Sequence, residues 1–181
     1  MASLLDEIGE WFRSDTLVIS FAAGKRISFI SEQLGGRNPI IRVMPNTPTL
    51  VGEGMAAISK GKDVSEPQSN FVRDFLTSTG RVVEVEEELL DAVTALSGSG
   101  PAYFFAFVEA MVKAGSELGL SPDIANELAN QTMIGAEKLL ATSGMNAATL
   151  RENVTSPTGT TAAAHAWRLS TGLGGSVKNA M

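Results

Sequence analysis

Thr16-Leu17-Val18-Ile19-Ser20-Phe21, followed by Ala22-Ala23-Gly24, and Ile40-Ile41-Arg42-Val43-Met44, followed by Pro45, decide how the chain folds. Each is a mostly apolar run without clean alternation, closed by small or rigid residues. Such runs are expected of strands in a parallel sheet with helices on both faces. Between them Ile27, Ile30 and Leu34 recur at helical spacing, and Gly35-Gly36 stops that helix. Upstream, Leu4, Leu5, Ile8, Trp11 and Phe12 share one helical face. Downstream, Met55 to Ser59 reads as a short third strand. Pro67 suits the first turn of a helix carrying Phe71, Val72, Phe75 and Leu76, closed by Gly80. Val82-Val83-Glu84-Val85 is a fourth strand. Strand–helix alternation of this kind means an α/β sheet.

From about Glu86 onward the pattern is helical. Glu87 to Leu96 forms one helix. Ser99 then caps a long helix whose first residue is Pro101 and which runs to about Gly119. Phe104, Phe105, Phe107, Val108, Met111, Val112 and Leu118 cover most of its circumference, leaving Glu109, Lys113 and Glu117 as a polar stripe. A helix this apolar is buried on nearly all sides, which in a small domain points to burial by a second subunit. Gly115 and Gly119 read as close helix packing and a helix end. Ser121-Pro122 caps another helix with Ile124, Leu128, Ile134 and Leu139 pointing inward, and Ala147 to Asn153 is a short one. The expected organisation is an α/β part over 1–88 and an all-α part over 89–181.

Composition narrows the function classes. The chain has 181 residues, no cysteine, a formal net charge of −6 and 44% hydrophobic residues. Thiolate nucleophiles, disulfides and zinc–thiolate sites are excluded. The acidic balance excludes a basic nucleic-acid footprint. The acidic N-terminus is no secretory signal, and no apolar run reaches membrane-spanning length, so a cytoplasmic protein is expected. His165, the only histidine, has no nucleophile-elbow motif near it and no clustered ligands, so neither catalysis nor metal binding is assigned to it.

Four segments rich in Gly, Pro, Ser and Thr stand at element ends: Ala22 to Gly24, Met44 to Pro48, Leu96 to Pro101, and Val154 to Thr161. The first two follow the buried strands, and open α/β sheets bind ligands beyond the carboxyl ends of their strands. There small residues admit a flat ligand to the backbone, while Asn46 and Thr47 add hydrogen bonds. A rigid turn set by Pro45 and Pro48 is an equal reading. The segment Gly98 to Pro101 follows a helix and lacks the third glycine of a dinucleotide fingerprint, so it is no phosphate loop. In the last segment, free N–H groups at a helix start beside Ser156, Thr160 and Thr161 could take a carboxylate. An ordinary Thr-rich cap is the plainer reading of those residues. Glu86, Glu87 and Glu88 read as a solvated helix start that complements the macrodipole.

Taken together, "DTLVISFAAG" (15–24), "RVMPNTPTLVGEGM" (42–55), "DAVTALSGSGPAYFFAFVEAM" (91–111) and "NVTSPTGTTAAA" (153–164) resemble, in order and spacing, the pyrroline-5-carboxylate reductases. The resemblance implies a partial Rossmann-like parallel sheet followed by a helical dimerisation domain. It implies reduction of 1-pyrroline-5-carboxylate to L-proline with NADP(H) or NAD(H), in a homodimer or a ring of dimers. Ala22, Ala23, Gly24, Pro45, Asn46 and Thr47 would line the nicotinamide side. Ser156, Gly159, Thr160 and Thr161 would hold the substrate, with the Thr161 hydroxyl on the ring nitrogen as the catalytic group. No metal, membrane or nucleic acid is implied. The family opens with a strand and a GxGxxG turn, and no such motif lies here between a strand and a helix. Thr158 stands where the family usually has glycine, and the sequence after Ala164 departs from it. An N-terminally truncated member is therefore expected. The alternatives are a non-catalytic dimerisation fragment of such a reductase and a dehydrogenase of similar architecture with another substrate.

Overall fold

Four strands, β1 (Val18–Ser20), β2 (Ile40–Met44), β3 (Gly54–Lys60) and β4 (Gly80–Glu84), pair in the order β1-β2-β3-β4. The structure, a computed structural model, describes residues 2–155. It divides into two units, Met1–Pro101 and Ala102–Met181.

Successive side chains of a strand point to opposite faces, and β2 is buried on both. On one face Ile41, Val43, Ala56 and Ile58 pack with Val72 and Leu76 of helix α3 (Glu66–Thr77). On the other, Ile40 packs with Leu5 of α1 (Ala2–Gly9), with Ile30 of α2 (Ile27–Gln33) and with Leu34 at the end of α2. Helix α3 starts at a capping box: the Gln68 N–H donates to Ser65 Oγ at 3.5 Å, and the Ser65 N–H donates to Gln68 Oε1 at 2.9 Å.

The sheet is mostly parallel, as expected, but β2 and β3 run antiparallel, Met44 facing Ala57. The link from Pro45 to Glu53 explains this: a parallel crossover needs about a dozen residues or more. The link instead forms a 3₁₀ turn, Thr47–Val51, ended by Gly52 at φ +78°. β1 differs too. Its apolar run suggested a strand covered on both faces; Ile19 packs on the α3 face and Val18 on the α2 face, but at the sheet edge both stay only partly buried. Gly80 does not close α3. It opens β4 at φ +152°, opposite Gly54, and a Cβ there would stand 2.0 Å from the Gly54 carbonyl oxygen.

At the far end of β3, the Lys60 ammonium donates to Glu66 Oε1 and lies 3.1 Å from Glu84, which also pairs with Arg73. The hydrogen bonds that Lys60 donates to Glu66 and then to Glu84 raise its pKa above the ordinary 10.5.

After β4, a 3₁₀ turn (Glu87–Leu89), α4 (Leu90–Val93) and a π turn (Thr94–Gly98) lead into α5 (Gly100–Glu117). Ser99 is not the extended N-cap expected. It has helical dihedrals and its N–H bonds the Thr94 carbonyl at 2.8 Å, so the π turn carries the helix through the glycines.

In the second unit α5 ends at a Schellman motif: Gly119, at φ +102°, lets Leu120 N–H reach the Gly115 carbonyl and its own N–H reach Ser116. Ser121 caps α6 (Pro122–Thr142), and α7 spans Ala147–Asn153. The α5–α6 approach is made by small residues; a Cβ on Gly115 would lie 3.2 Å from the Ala125 Cβ. Ala125 and Ala129 are the buried residues of α6. Ile124, Leu128, Ile134 and Leu139, expected to point inward, are instead about half exposed, because the face of α6 that the chain itself buries carries Ala125 and Ala129. Phe104, Phe105 and Phe107 of α5 are likewise more than half exposed. Among the described residues no helix is long and apolar enough to cross a membrane.

Two outcomes follow from this packing. Gly80→Ala is expected to lower unfolding stability by roughly 2–4 kcal/mol, read as a shifted urea midpoint, because the new methyl group meets backbone atoms that cannot swing away. The Lys60 contribution is fully present below pH 10.5 and fades as pH rises through the raised value. Urea midpoints compared at about pH 9 and pH 11 should therefore fall less in Lys60→Met than in the native chain.

Candidate functional site

β1 and β2 are parallel and in register, Ser20 beside Arg42, so the loops that follow them leave the sheet at the same end. The first loop is Phe21 to Arg26. The Ala22 N–H donates to Ser20 Oγ at 3.3 Å, bending the chain off the strand. Gly24 sits at φ +69° with no atom within 4 Å of where a Cβ would stand, so this backbone faces open space. Ala22 is half-buried, and Ala23 and Gly24 are exposed.

The second loop starts at Pro45. Asn46 is held by its side chain: Oδ1 accepts from the Met55 N–H at 2.8 Å, and Nδ2 donates to Ser97 Oγ at 3.3 Å. Both polar ends of the amide are thus engaged by β3 and by the π turn. Asn46 shapes the loop, whereas Thr47, exposed beside it, presents a free edge. The structure therefore brings Ala22, Ala23, Gly24, Pro45, Asn46 and Thr47 to one end of the sheet. Ser156, Gly159, Thr160, Thr161 and His165 lie outside the described residues.

Arg42, which the sequence reading gave no role beyond the strand, and Glu87, which it took as solvated, sit beneath these loops. Arg42 Nη1 donates to Glu87 Oε1 at 2.8 Å, with the Arg42 side chain 8% exposed and that of Glu87 20%. The same Oε1 accepts from the Ile27 N–H at 2.6 Å. Glu87 is therefore not part of a solvated acidic run. It caps α2 from across the sheet, in place of Arg26, whose side chain makes no cap bond. A charged residue inside the apolar run Ile40 to Met44 was the sequence signal for this pair.

A cleft of about 950 Å³ opens at the other end of β2, lined by Ser59, Lys60, Asp63, Glu84, Glu86 and Glu88 among others. Its carboxylates disfavour a phosphate-bearing ligand, and Lys60 is already engaged by two of the chain's own acids. The strand-end loops suit a flat nucleotide ring better, since small residues and open backbone give it access.

Strand-end loops of small residues on a mostly parallel sheet, followed by a helical unit, define a Rossmann-like α/β half joined to a helical half. Residues 87–181 match the pyrroline-5-carboxylate reductase dimerisation family. The chain is 48% identical over 153 residues to the pyrroline-5-carboxylate reductase of Haemophilus influenzae and 44% identical over 151 residues to that of Corynebacterium melassecola. In each case 83% of this chain and 56% of the relative are covered. It superposes on Plasmodium falciparum pyrroline carboxylate reductase with NADP bound at a TM-score of 0.92 and 35% identity, covering 99% of this chain and 72% of that one. For the Coxiella burnetii enzyme the TM-score is 0.90 at 35% identity, covering 99% and 67%. The chain belongs to the pyrroline-5-carboxylate reductase family. It spans little more than half the length of the curated relatives it matches, 56% for these two. The dimerisation match begins at Glu87, yet the sheet unit extends to Pro101, so residues 87–101 belong to the dimerisation region by sequence and to the sheet by position.

Asn46→Ala should leave the Met55 N–H without its acceptor and Ser97 without its donor, lowering stability by about 1–3 kcal/mol. Asn46→Asp keeps the acceptor, and its urea midpoint should fall between those of Asn46→Ala and the native chain.

Proposed function

We propose that this chain carries the nicotinamide and substrate side of a reductase that converts 1-pyrroline-5-carboxylate to L-proline with NADPH or NADH. The observation that supports it is the pair of open loops at the ends of β1 and β2 in a member of this family. When bound, the nicotinamide supplies the hydride. The chain's own part is to place two rings face to face at near-attack distance. Ala22, Ala23 and Gly24 leave backbone open to the nicotinamide, Pro45 and Thr47 border it, and Asn46 sets the shape of that border. Ser156, Gly159 and Thr160 are assigned to the substrate carboxylate, and the Thr161 hydroxyl to the ring nitrogen, where it steadies the proton the product amine gains. Neither a nucleophile nor a metal is needed for this chemistry.

In this reading residues 1–88 are the C-terminal part of a dinucleotide-binding domain and 89–181 the helical dimerisation and substrate domain. The exposed phenylalanines of α5 and the outward leucines and isoleucines of α6 favour burial against a second copy, with rings of dimers as the higher assembly. The same faces favour a second reading for the chain in isolation, a dimerisation fragment without turnover.

The test is oxidation of NADPH and NADH by the purified chain, with and without pyrroline-5-carboxylate, alongside its mass by light scattering. Substrate-dependent oxidation by a dimer, about 100-fold slower in Thr161→Ala, is the expected result. A folded dimer without turnover would support the fragment reading, and a monomer would refute the dimer assignment.

A further inference from the structure

We propose that Arg42 and Glu87 are positioning residues that hold both strand-end loops in one frame and fasten that frame to the start of the dimerisation region. Their bearing on the cofactor rests on the function proposed above.

Geometry carries this inference. One oxygen, Glu87 Oε1, takes both the Ile27 N–H at 2.6 Å and Arg42 Nη1 at 2.8 Å. Ile27 is the first residue of α2, the point where the loop carrying Ala22, Ala23 and Gly24 lands. Arg42 lies on β2 just before the loop that Pro45 opens, and its register partners are Ser20 on β1 and Ser59 on β3. A displacement of Glu87 therefore moves the landing of one loop and the stem of the other together. The segment that begins at Glu87 returns to the second loop at its far end, where Ser97 receives the Asn46 amide. Leu90, between these fastenings, is 2% exposed. Residues 87–98 are thus pinned at two places, to β2 by Glu87 and to the loop that follows β2 by Ser97.

Stability does not account for such a pair. Two ions taken out of water lose hydration that their attraction only partly returns, and apolar residues of similar volume commonly serve the fold as well or better. What apolar residues cannot do is accept the Ile27 N–H and fix its direction. The short bonds to a charged acceptor supply that direction.

The experiment follows from this contrast. The double variant Arg42→Met with Glu87→Leu removes both charges without stranding either. Its melting temperature should stay within about 3 °C of the native chain's. Amide exchange at Ile27 and in the preceding loop should nonetheless rise about 10- to 100-fold, the worth of one charge-assisted hydrogen bond. The dissociation constant for NADPH, followed by its fluorescence, should weaken by at least about tenfold. Arg42→Met combined with Glu87→Gln, which keeps the acceptor oxygen for Ile27 and leaves no guanidinium unpaired, should bring both readouts back most of the way. A stable double variant with native exchange in the loop would overturn the positioning role. Raised exchange with native NADPH affinity would overturn the link from the pair to the cofactor. If the native chain itself binds no NADPH, the cofactor reading above fails, while the exchange measurement still decides whether the pair holds the loops.

Discussion

A guanidinium in the middle of a strand covered on both faces is tolerable only beside a partner, and Arg42 in β2 has one partner among the described residues, Glu87. Much of the first unit is arranged around that requirement. The chain leaving β4 sets Glu87 on Arg42, then buries Leu90 and brings the π turn to the loop after β2, where Ser97 meets Asn46. Helix α2 in turn begins where the carboxylate can receive its first N–H. The first of the open loops is therefore set largely by contacts beneath it, while the second is also held by the Asn46 amide. Loops of small residues need such support, because Ala22, Ala23 and Gly24 have almost no side-chain atoms with which to fix themselves.

The second unit follows a different rule. Within the chain α5 and α6 approach at Gly115 and Ala125, next to the turn that joins them, and most of their large apolar side chains stay exposed. These exposed apolar faces lie in the region that matches a dimerisation family, which supports the proposed burial against a second copy.

Much of the fold was legible in the residues. Strands β1 to β4 and every main helix lie where apolar periodicity, Gly35-Gly36, Pro67, Ser121 and Pro122 put them. These signals act over a few residues, where local sterics and capping dominate. The strand-end loops were legible for the same reason, since small and rigid residues directly after an apolar run mark the strand's end. Asn46 was legible as a loop residue but not as a brace, because its partner Ser97 lies 51 positions away. Glu87 was misread as solvated, because nothing in three consecutive glutamates distinguishes the one facing a buried arginine 45 positions earlier.

Local pattern was enough to read the elements, the Ser121 cap, the α/β-then-helical order and the family, but not the Glu87 cap of α2 or the helical turn at Ser99. Tertiary structure alone decided that β2 and β3 run antiparallel, that β1 is an edge strand, that Gly54 and Gly80 meet backbone to backbone, and which charge goes inside. Those outcomes depend on which distant groups share one small volume. There the cost of an unpaired buried charge or an extra methyl group outweighs any preference a residue expresses alone.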